Sequence, residues 1–281
     1  MLNDGSNPLC ALPRSVRRGG APSPDRRFAV EQNRAVGAHA LILGCGRSGT
    51  SIFGELFESL PGFTYASEPF LADLPGLAAG EHLAVKVPRQ RPDDHPPAGL
   101  PAAPAELHRA MPQPLVVFWQ VRHPLDTVCS LRVGISQGWG HHPRPPDWQE
   151  WLHRPLVEQC AHHWAVINQA GYDLVRDVAV VNRFEDMIRD PRACAETAVQ
   201  AVGIDPSTVA GELHSWSERV QDTNNDRFVE AMTSRRHSRP DHDRRVERWR
   251  DNLTPAEVAS IVPVVGDAAR RFGYDLPAGW T

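Results

Sequence analysis

The sequence has a single lysine, few cysteines and no long apolar run. Lys86 is the only lysine among 281 residues, so apart from histidine every other basic side chain is an arginine. No apolar run approaches the roughly 18 residues that suggest a membrane span, and the N-terminus lacks the apolar core of a secretory signal. We therefore expect a cytoplasmic protein with no membrane span. The cysteines form no C-x-x-C pair, which argues against a zinc site and a disulfide framework; they are Cys10, Cys45, Cys129, Cys160 and Cys194.

Charge and composition narrow the class of partner. The net charge is −4 and 41% of the residues are hydrophobic. No half of the chain is strongly basic, so we expect no nucleic-acid partner and favour small molecules. The length allows one large α/β core or two small ones. We predict a flexible N-terminal arm over residues 1–37, which are rich in proline, glycine, serine and arginine, and a single domain over 38–281.

Apolar runs of strand length alternate with helical patterns through the predicted domain. This alternation favours an α/β fold, a three-layer sandwich with a central parallel β-sheet flanked by helices. Strands are predicted at Ala40–Leu43, His82–Val87, Leu115–Val121 and Val178–Asn182, with a weaker candidate at Phe63–Ser67. Helices are predicted at Gly49–Ser59, Pro124–Ser136, Pro155–Arg176, Pro191–Val202, Pro206–Ser217 and Pro255–Phe272.

A glycine loop joins the first predicted strand to the first helix. Its glycines permit a tight turn, and the N–H groups of residues 48–51 at the helix start can bind an anion. Gly44 and Gly49 have the spacing of a nucleotide triphosphatase P-loop. Thr50, however, stands where that loop carries lysine, and the loop's basic residue is Arg47. We predict a P-loop-NTPase-like phosphate site that lacks the usual lysine for ATP.

A second anion site is predicted after the third of the four main strands. Arg122 comes at the carboxyl end of that strand, where open α/β sheets bind their ligands. Pro124 then begins a helix, and Ser130 lies two turns along it. An arginine fork and a hydroxyl at this spacing can bind a second phosphate. Two phosphate sites suggest a nucleotide that is phosphorylated at two positions.

The two sites resemble the nucleotide-binding motifs of the sulfotransferase superfamily. The loop Gly46–Ser51 resembles the family's 5′-phosphosulfate loop, and Arg122 with Ser130 matches its 3′-phosphate motif in residue type and spacing. The segment Val181–Met187 is similar to the family's arginine-tyrosine-glutamate-aspartate strand end, and Val246–Arg250 resembles the tryptophan-arginine segment near the C-terminus of bacterial members. The resemblance implies 3′-phosphoadenosine 5′-phosphosulfate as the sulfuryl donor, with 3′,5′-adenosine bisphosphate as product. It implies that the donor is bound by Gly46, Arg47, Ser48, Gly49, Thr50, Ser51, Arg122, Ser130, Phe184 and Arg248.

Two residues depart from the family pattern without changing this interpretation. Arg47 replaces the lysine of cytosolic small-molecule members, as it does in the tyrosylprotein and many bacterial branches. Phe184 replaces the usual tyrosine, so a hydroxyl contact near the adenine would be lost while ring packing remains.

The resemblance also implies catalytic roles without a metal. Sulfuryl transfer depends on in-line positioning and on cations that meet the developing charge, roles that we assign to Arg47 and Lys86. Glu68 resembles the general base of the tyrosylprotein branch, while the histidine of small-molecule members is replaced by Pro88 and Arg89. Glu68 also has a structural interpretation as a turn residue or loop anchor, and Lys86 as a solvated strand end.

Other histidines, tryptophans and arginines leave alternatives open. The adjacent pairs His141-His142 and His162-His163 do not have the i, i+4 spacing of metal ligands on a helix, so no metal is predicted. The segment with Trp139, His141, His142, Trp148 and Trp151 either covers the acceptor or is a surface loop anchored by tryptophan. Arg248 and the arginines between 235 and 250 either reach the 3′-phosphate or form a solvated face.

The sequence thus favours sulfuryl transfer to a hydroxyl or amine of a small-molecule, glycan or peptide acceptor. Two alternatives remain. A small-molecule kinase that uses ATP and Mg²⁺ would have to function with Thr50 in place of the P-loop lysine. A nucleotide-binding module without catalysis would leave Arg47, Lys86 and Glu68 without a role.

Overall fold

One parallel sheet organises the residues that the computed structural model describes, which are 37–77, 81–91, 97–221 and 246–277. The neighbouring strands are all parallel, in the order β2-β3-β1-β4-β5. This arrangement confirms the α/β class and the parallel sheet. The strands are β1 (His39–Gly44), β2 (Phe63–Ser67), β3 (His82–Lys86), β4 (Leu115–Val121) and β5 (Ala179–Arg183). The arm predicted for 1–37 lies outside the described residues except Gly37, as do the arginines between 235 and 245.

Helices cover both faces of the sheet. The α-helices are α1 (Thr50–Glu58), α2 (Leu74–Leu77), α3 (Pro104–Ala110), α4 (Pro124–Ile135), α5 (Trp148–Trp151), α6 (Leu156–Val166), α7 (Phe184–Arg189), α8 (Pro191–Ala201), α9 (Ala210–Gln221), α10 (Trp249–Asn252) and α11 (Pro255–Arg271). Helices α1, α8 and α9 contribute to one apolar layer, and α4, α6 and α11 to the other. Among the described residues, no helix combines the length and apolar character needed to cross a membrane.

Strand β1 lies at the centre of the sheet and is buried along its whole length. Successive side chains of a strand point to opposite faces. Leu41 and Leu43 accordingly pack in the layer with α4, α6 and α11, while Ala40 and Ile42 pack in the layer with α1, α8 and α9. Burial on both faces explains why the strand is an uninterrupted apolar run. Because the strand is held in the centre of the sheet, the glycine loop that follows Gly44 begins at the carboxyl edge of the sheet.

The helix predicted over Pro155–Arg176 is shorter in the structure. After α6 ends at Val166, the chain continues as a π-helical turn over Ile167–Gly171. There the Asn168 amide donates to the Trp164 carbonyl at 3.0 Å and accepts from the Trp119 indole at 3.1 Å. Glycines 99 and 171 also meet at this turn, where a Cβ on Gly171 would lie 2.2 Å from the Gly99 carbonyl oxygen. The chain is α-helical again at residues 172–173, so the contacts with Trp119 and Gly99 accompany a π-helical turn within the helix.

Candidate functional site

The loop after β1 has a backbone that requires glycine at two positions. Gly44 has a φ of 140°, and a Cβ there would lie 2.1 Å from the carbonyl oxygen of Gln120 on β4. Gly49 has a φ of 89°, and a Cβ there would lie 2.5 Å from the Phe184 ring. Between them, Arg47 adopts a left-handed φ of 68°. Because strained backbone of this kind often marks ligand sites, the loop is a candidate binding element.

The loop and the start of α1 have the features of a candidate anion site. Ser48 is fully buried, and its hydroxyl has no hydrogen-bond partner among the described residues. Gly49 is the residue before the helix and provides no side-chain cap for its first N–H groups. The first N–H groups of a helix lack intrahelical partners, so those of Thr50 and Ser51 suit a phosphate oxygen. Gly46 lies beside the imidazole of His141, whose Nδ1 would be 3.2 Å from a Cβ at that glycine.

Lys86 lies beside this anion site. It ends β3, paired in register with Ile42 of β1, and is almost fully buried. Its ammonium group donates to the Ser51 hydroxyl at 3.1 Å and lies 2.8 Å from Oε1 of Glu68. The structure therefore places Lys86 between the start of α1 and the predicted base. This position differs from the solvated strand end that was the alternative.

Glu68 follows β2 and is held by cations on both carboxylate oxygens. Its backbone has a left-handed φ of 55°, and its N–H donates to the Lys86 carbonyl at 2.8 Å. Oε1 pairs with Lys86, and Oε2 pairs with the guanidinium of Arg89. Burial alone would raise the pKa of Glu68, but attraction to Lys86 and Arg89 holds that pKa below its ordinary value. The Glu68 carboxylate is therefore ionised at neutral pH.

Arg122 connects the glycine loop to the end of β4. It is fully buried, and its Nη1 donates to the Arg47 carbonyl at 3.2 Å. Its guanidinium carbon lies 4.2 Å from the centre of the Phe184 ring, and its own carbonyl accepts from the Trp164 indole at 3.0 Å. The Phe184 ring is itself fully buried. The ring packs against the Arg122 guanidinium. A direct contact between Phe184 and a nucleotide remains a prediction.

Ser130 and Arg248 meet although they are 118 residues apart. Both are buried, and Nη1 of Arg248 lies 3.5 Å from the hydroxyl of Ser130. Ser130 lies on α4, and Arg248 directly precedes α10. Two of the three predicted 3′-phosphate ligands therefore come together.

Asp126 holds the segment that carries Arg248, and the sequence analysis missed it. This buried carboxylate accepts from the backbone N–H of Glu247 at 2.8 Å and of Trp249 at 3.0 Å. Burial raises the pKa of Asp126 although Arg122 and the two N–H groups oppose the shift. The spacing contained a usable signal, because Asp126 lies one helical turn before Ser130 on α4 and so on the same face.

His141 is a second residue that the sequence analysis did not assign to the loop. Its imidazole lies against Gly46 and Gly134. Burial, followed by repulsion from Arg47, lowers the pKa of His141 to about 4. The imidazole is therefore neutral at pH 7. Only the fold reveals its position, because the segment after α4 has no periodic pattern that would place it.

The tryptophans of the same segment are anchors. Trp139 is fully buried and donates to Nδ1 of His163 at 3.1 Å. Trp151 stacks on His162 with ring centres 3.9 Å apart and donates to Asp147 at 3.1 Å. These contacts attach the segment to α6. They favour the anchored-loop interpretation for the tryptophans.

The positive charges of the candidate site come from the side chains of arginine and lysine. No group of three or more histidine, cysteine, aspartate or glutamate residues within the described part of the chain is placed to hold a metal ion.

Comparisons with known proteins identify the fold. No protein-family model matches the chain, and no curated protein sequence matches it. Among solved structures, the mouse sulfotransferase SULT7A1 complexed with PAP has 14% identity and a TM-score of 0.54, with 89% of this chain and 88% of that chain covered. The sulfotransferase domain of the Synechococcus PCC 7002 olefin synthase has 16% identity and a TM-score of 0.51, with 88% and 99% covered. A sulfotransferase domain from the curacin biosynthetic pathway has 14% identity and a TM-score of 0.51, with 87% and 100% covered. The chain therefore has the fold of sulfotransferases.

Proposed function

We propose that this protein is a sulfotransferase that moves a sulfuryl group from 3′-phosphoadenosine 5′-phosphosulfate to a hydroxyl or amine of an acceptor. The observation that carries the proposal is that two candidate anion sites follow the neighbouring strands β1 and β4. One is the loop with the buried Ser48 hydroxyl, to which Arg122 donates through the Arg47 carbonyl, and the other would combine Arg122 with the pair Ser130 and Arg248. The fold shared with sulfotransferases, one of them complexed with PAP, the donor's bisphosphate product, supports the same assignment.

The loop residues would bind the 5′ end of the donor. N–H groups at the start of α1 and the Ser48 hydroxyl suit its phosphate, and Arg47 contributes the loop's positive charge. Arg122, Ser130 and Arg248 would bind the 3′-phosphate, with Phe184 supporting the Arg122 guanidinium. The donor, when bound, supplies the sulfuryl group and a phosphate leaving group.

Lys86 and Glu68 are positioned for the transfer itself. Lys86 reaches both Ser51 and Glu68, so its charge can stabilise negative charge that develops on the leaving phosphate oxygen. Glu68 would accept the proton of the acceptor hydroxyl as the new oxygen–sulfur bond forms and the bond from sulfur to the phosphate oxygen breaks. Its ionised state at neutral pH suits that role.

A calorimetric titration with three nucleotides tests the donor assignment. We expect 3′,5′-adenosine bisphosphate to bind more tightly than adenosine 5′-phosphate, because only the bisphosphate occupies the second anion site. ATP with Mg²⁺ should bind weakly, because the loop has Thr50 in place of the P-loop lysine. Preferential binding of ATP with Mg²⁺ would instead support a kinase and contradict the proposal.

A transfer assay tests catalysis separately from binding. The protein is incubated with donor labelled in its sulfuryl group and with a panel of phenols, alcohols and amines. Label that appears on an acceptor supports the enzyme. Bisphosphate binding without transfer to any acceptor class would favour a nucleotide-binding module.

A further inference from the structure

A cleft of about 380 Å³ lies beyond the ends of β2 and β3. Its walls include Phe70, Leu71, Arg89, Gln90 and Arg91. Arg89 both lines this cleft and pairs with Glu68, so the cleft adjoins the predicted base.

The backbone around the cleft is fixed by a short parallel bridge. Phe70 pairs with Arg89 in register beyond the ends of β2 and β3. The Leu71 N–H donates to the Arg89 carbonyl at 2.8 Å, and the Arg89 N–H donates to the Pro69 carbonyl at 2.7 Å. Because the main chain is held in this way, side-chain substitutions in the cleft should leave its frame intact.

The charged groups of the cleft suit an anion. The lining includes two guanidinium groups, those of Arg89 and Arg91, and one carboxylate, that of Glu106, which already accepts from the backbone N–H of Ala103 at the start of α3 at 3.2 Å. The Arg89 side chain is 47% exposed, so it can exchange partners without moving through packed protein. A guanidinium binds carboxylates in a bidentate geometry.

Two further groups suit an organic molecule with a polar hydrogen. The Phe70 ring is 50% exposed, the largest exposed fraction among the large apolar side chains of the described residues. Oε1 of Gln90 is buried without a hydrogen-bond partner among those residues. The ring offers an apolar surface, and the amide oxygen offers an acceptor for a hydroxyl or N–H group.

We propose that this cleft binds the acceptor substrate and that the acceptor is an organic anion, with an apolar body and a carboxylate held by Arg89 and Arg91. The inference rests on the proposed function, since it assigns the substrate class of the same site. An acceptor anion competes with Glu68 for Arg89. When Arg89 turns to that anion, Oε2 of Glu68 becomes available to the acceptor hydroxyl, while Lys86 keeps Oε1.

Binding of matched carboxylates and amides tests the proposal without requiring turnover. The probes are para-hydroxyphenylacetate and para-hydroxyphenylpropionate, each compared with its primary amide, in titrations followed by ligand-observed NMR. They are run with and without saturating 3′,5′-adenosine bisphosphate. We expect the carboxylates to bind about tenfold more tightly than the amides, as a charge-assisted pair is roughly twice as strong as a neutral hydrogen bond.

Arginine variants identify the source of that preference. Arg89→Gln and Arg91→Gln should each reduce carboxylate affinity to the level of the amide and leave amide affinity unchanged. Arg109→Gln is the matched control, because Arg109 is an exposed arginine of α3 that does not line the cleft. Melting temperatures check that each variant folds.

The outcomes separate this inference from the donor assignment. Equal affinity for carboxylates and amides, absence of carboxylate binding, or a preference that survives both Arg89→Gln and Arg91→Gln would overturn the anionic acceptor. Failure of the bisphosphate to bind would overturn the donor assignment instead, and the carboxylate titrations without nucleotide would still decide the character of the cleft.

Discussion

The donor side and the acceptor side of the site hold their arginines in different ways. On the donor side, Arg122 and Arg248 are buried and bonded to groups of the protein that fix their positions. On the acceptor side, Arg89 is 47% exposed and bonded to a side chain that has its own catalytic assignment. On the proposed assignment, this difference corresponds to a preorganised pocket for one nucleotide beside an adaptable cleft. It agrees with the general pattern in which a fold provides a common core and its loops provide specificity.

Lys86 and Glu68 lie where the two sides meet. Lys86 is nearly buried, whereas the Glu68 side chain is 35% exposed. Lys86, the cation proposed to act on the donor, is thus held in place, and Glu68, the carboxylate proposed to act on the acceptor, is partly open to solvent. The following substitutions test whether this division has functional consequences.

Glu68→Gln should have the largest effect. Loss of the proton acceptor should lower turnover by about a hundredfold to ten-thousandfold, the usual contribution of a general base. Affinity for the bisphosphate should stay close to that of the wild type, because Glu68 lies on the acceptor side. Steady-state kinetics and calorimetry measure the two effects. Glu150→Gln, at an exposed position on α5, is the control, and a fully active Glu68→Gln enzyme would shift attention to His141.

Arg122→Ala should remove the core of the donor side. We expect bisphosphate affinity to fall by about a hundredfold or more, because a buried charge-assisted phosphate contact is lost. Affinity for adenosine 5′-phosphate should fall much less. Calorimetry gives both values, with Arg189→Ala as the control because that side chain is 74% exposed on α7. Unchanged bisphosphate affinity would remove Arg122 from the site.

Asp126→Asn should weaken the donor side through Arg248. An amide can accept only one of the two backbone N–H groups in place of the carboxylate, and an unsatisfied buried N–H costs about 1–3 kcal/mol. We expect about a tenfold loss of bisphosphate affinity by the same reasoning. Adenosine 5′-phosphate, which does not need Arg248, should bind as before. Asp251→Asn is the exposed control, and equal losses for both nucleotides would indicate a general structural effect.

Arg89→Gln should change the pH dependence of kcat/KM, which reports the free enzyme, in which Arg89 pairs with Glu68. Glu68 acts in its ionised form, so the rate should fall as pH drops through its pKa, which in the wild type lies below the ordinary 4.5. Removal of one cation raises that pKa and should move the acidic limb upward by about one pH unit, since an opposite charge typically shifts a carboxyl pKa by 1–3 units. Rate profiles of the variant and of Arg109→Gln measure the shift. An unmoved limb would mean that Glu68 is not the titrating base.

Phe184→Leu should have the smallest effect and clarify the role of the ring. If the ring acts by supporting Arg122, bisphosphate affinity should fall about threefold, in line with a modest cation–π contribution. Adenosine 5′-phosphate affinity should then be unaffected. If both nucleotides lose affinity equally in calorimetry, Phe184 instead contacts the adenosine directly, as the family resemblance implies.

The sequence was sufficient for the sheet and for the location of the loop. Leu115–Val121 and Phe63–Ser67 match β4 and β2, and the other predicted strands differ from the observed ones by one residue at an end or at both ends. Apolar runs and glycine spacing are local signals, so they can be recognised without the fold. The π-helical turn in the helix after Pro155 was not predicted, because the contacts that accompany it come from β4 and from Gly99. The short helix α7 was missed where the sequence indicated only a motif after a strand.

The site was predictable only where its residues follow strand ends or helix starts. Arg122 and Lys86 lie at the carboxyl edge of the sheet, which the order of elements already indicated. Asp126 and His141 act on groups far away in sequence, and their roles depend on how α10 and the segment after α4 fold back onto the sheet. No spacing rule contains that information. Arg248 was predicted from the resemblance to a family, whereas Asp126, which holds the residues on either side of it, was identified only from the structure.

The anchor on Arg248 has a consequence for sequence variation. Asp126 accepts hydrogen bonds from the main chain of residues 247 and 249, so these contacts depend on the backbone conformation and not on which side chains those residues carry. Residue 247 has a left-handed φ of 61°, a conformation in which glycine and asparagine are favoured. A library that randomises position 247 should therefore yield many functional members, enriched in Glu247→Gly and Glu247→Asn.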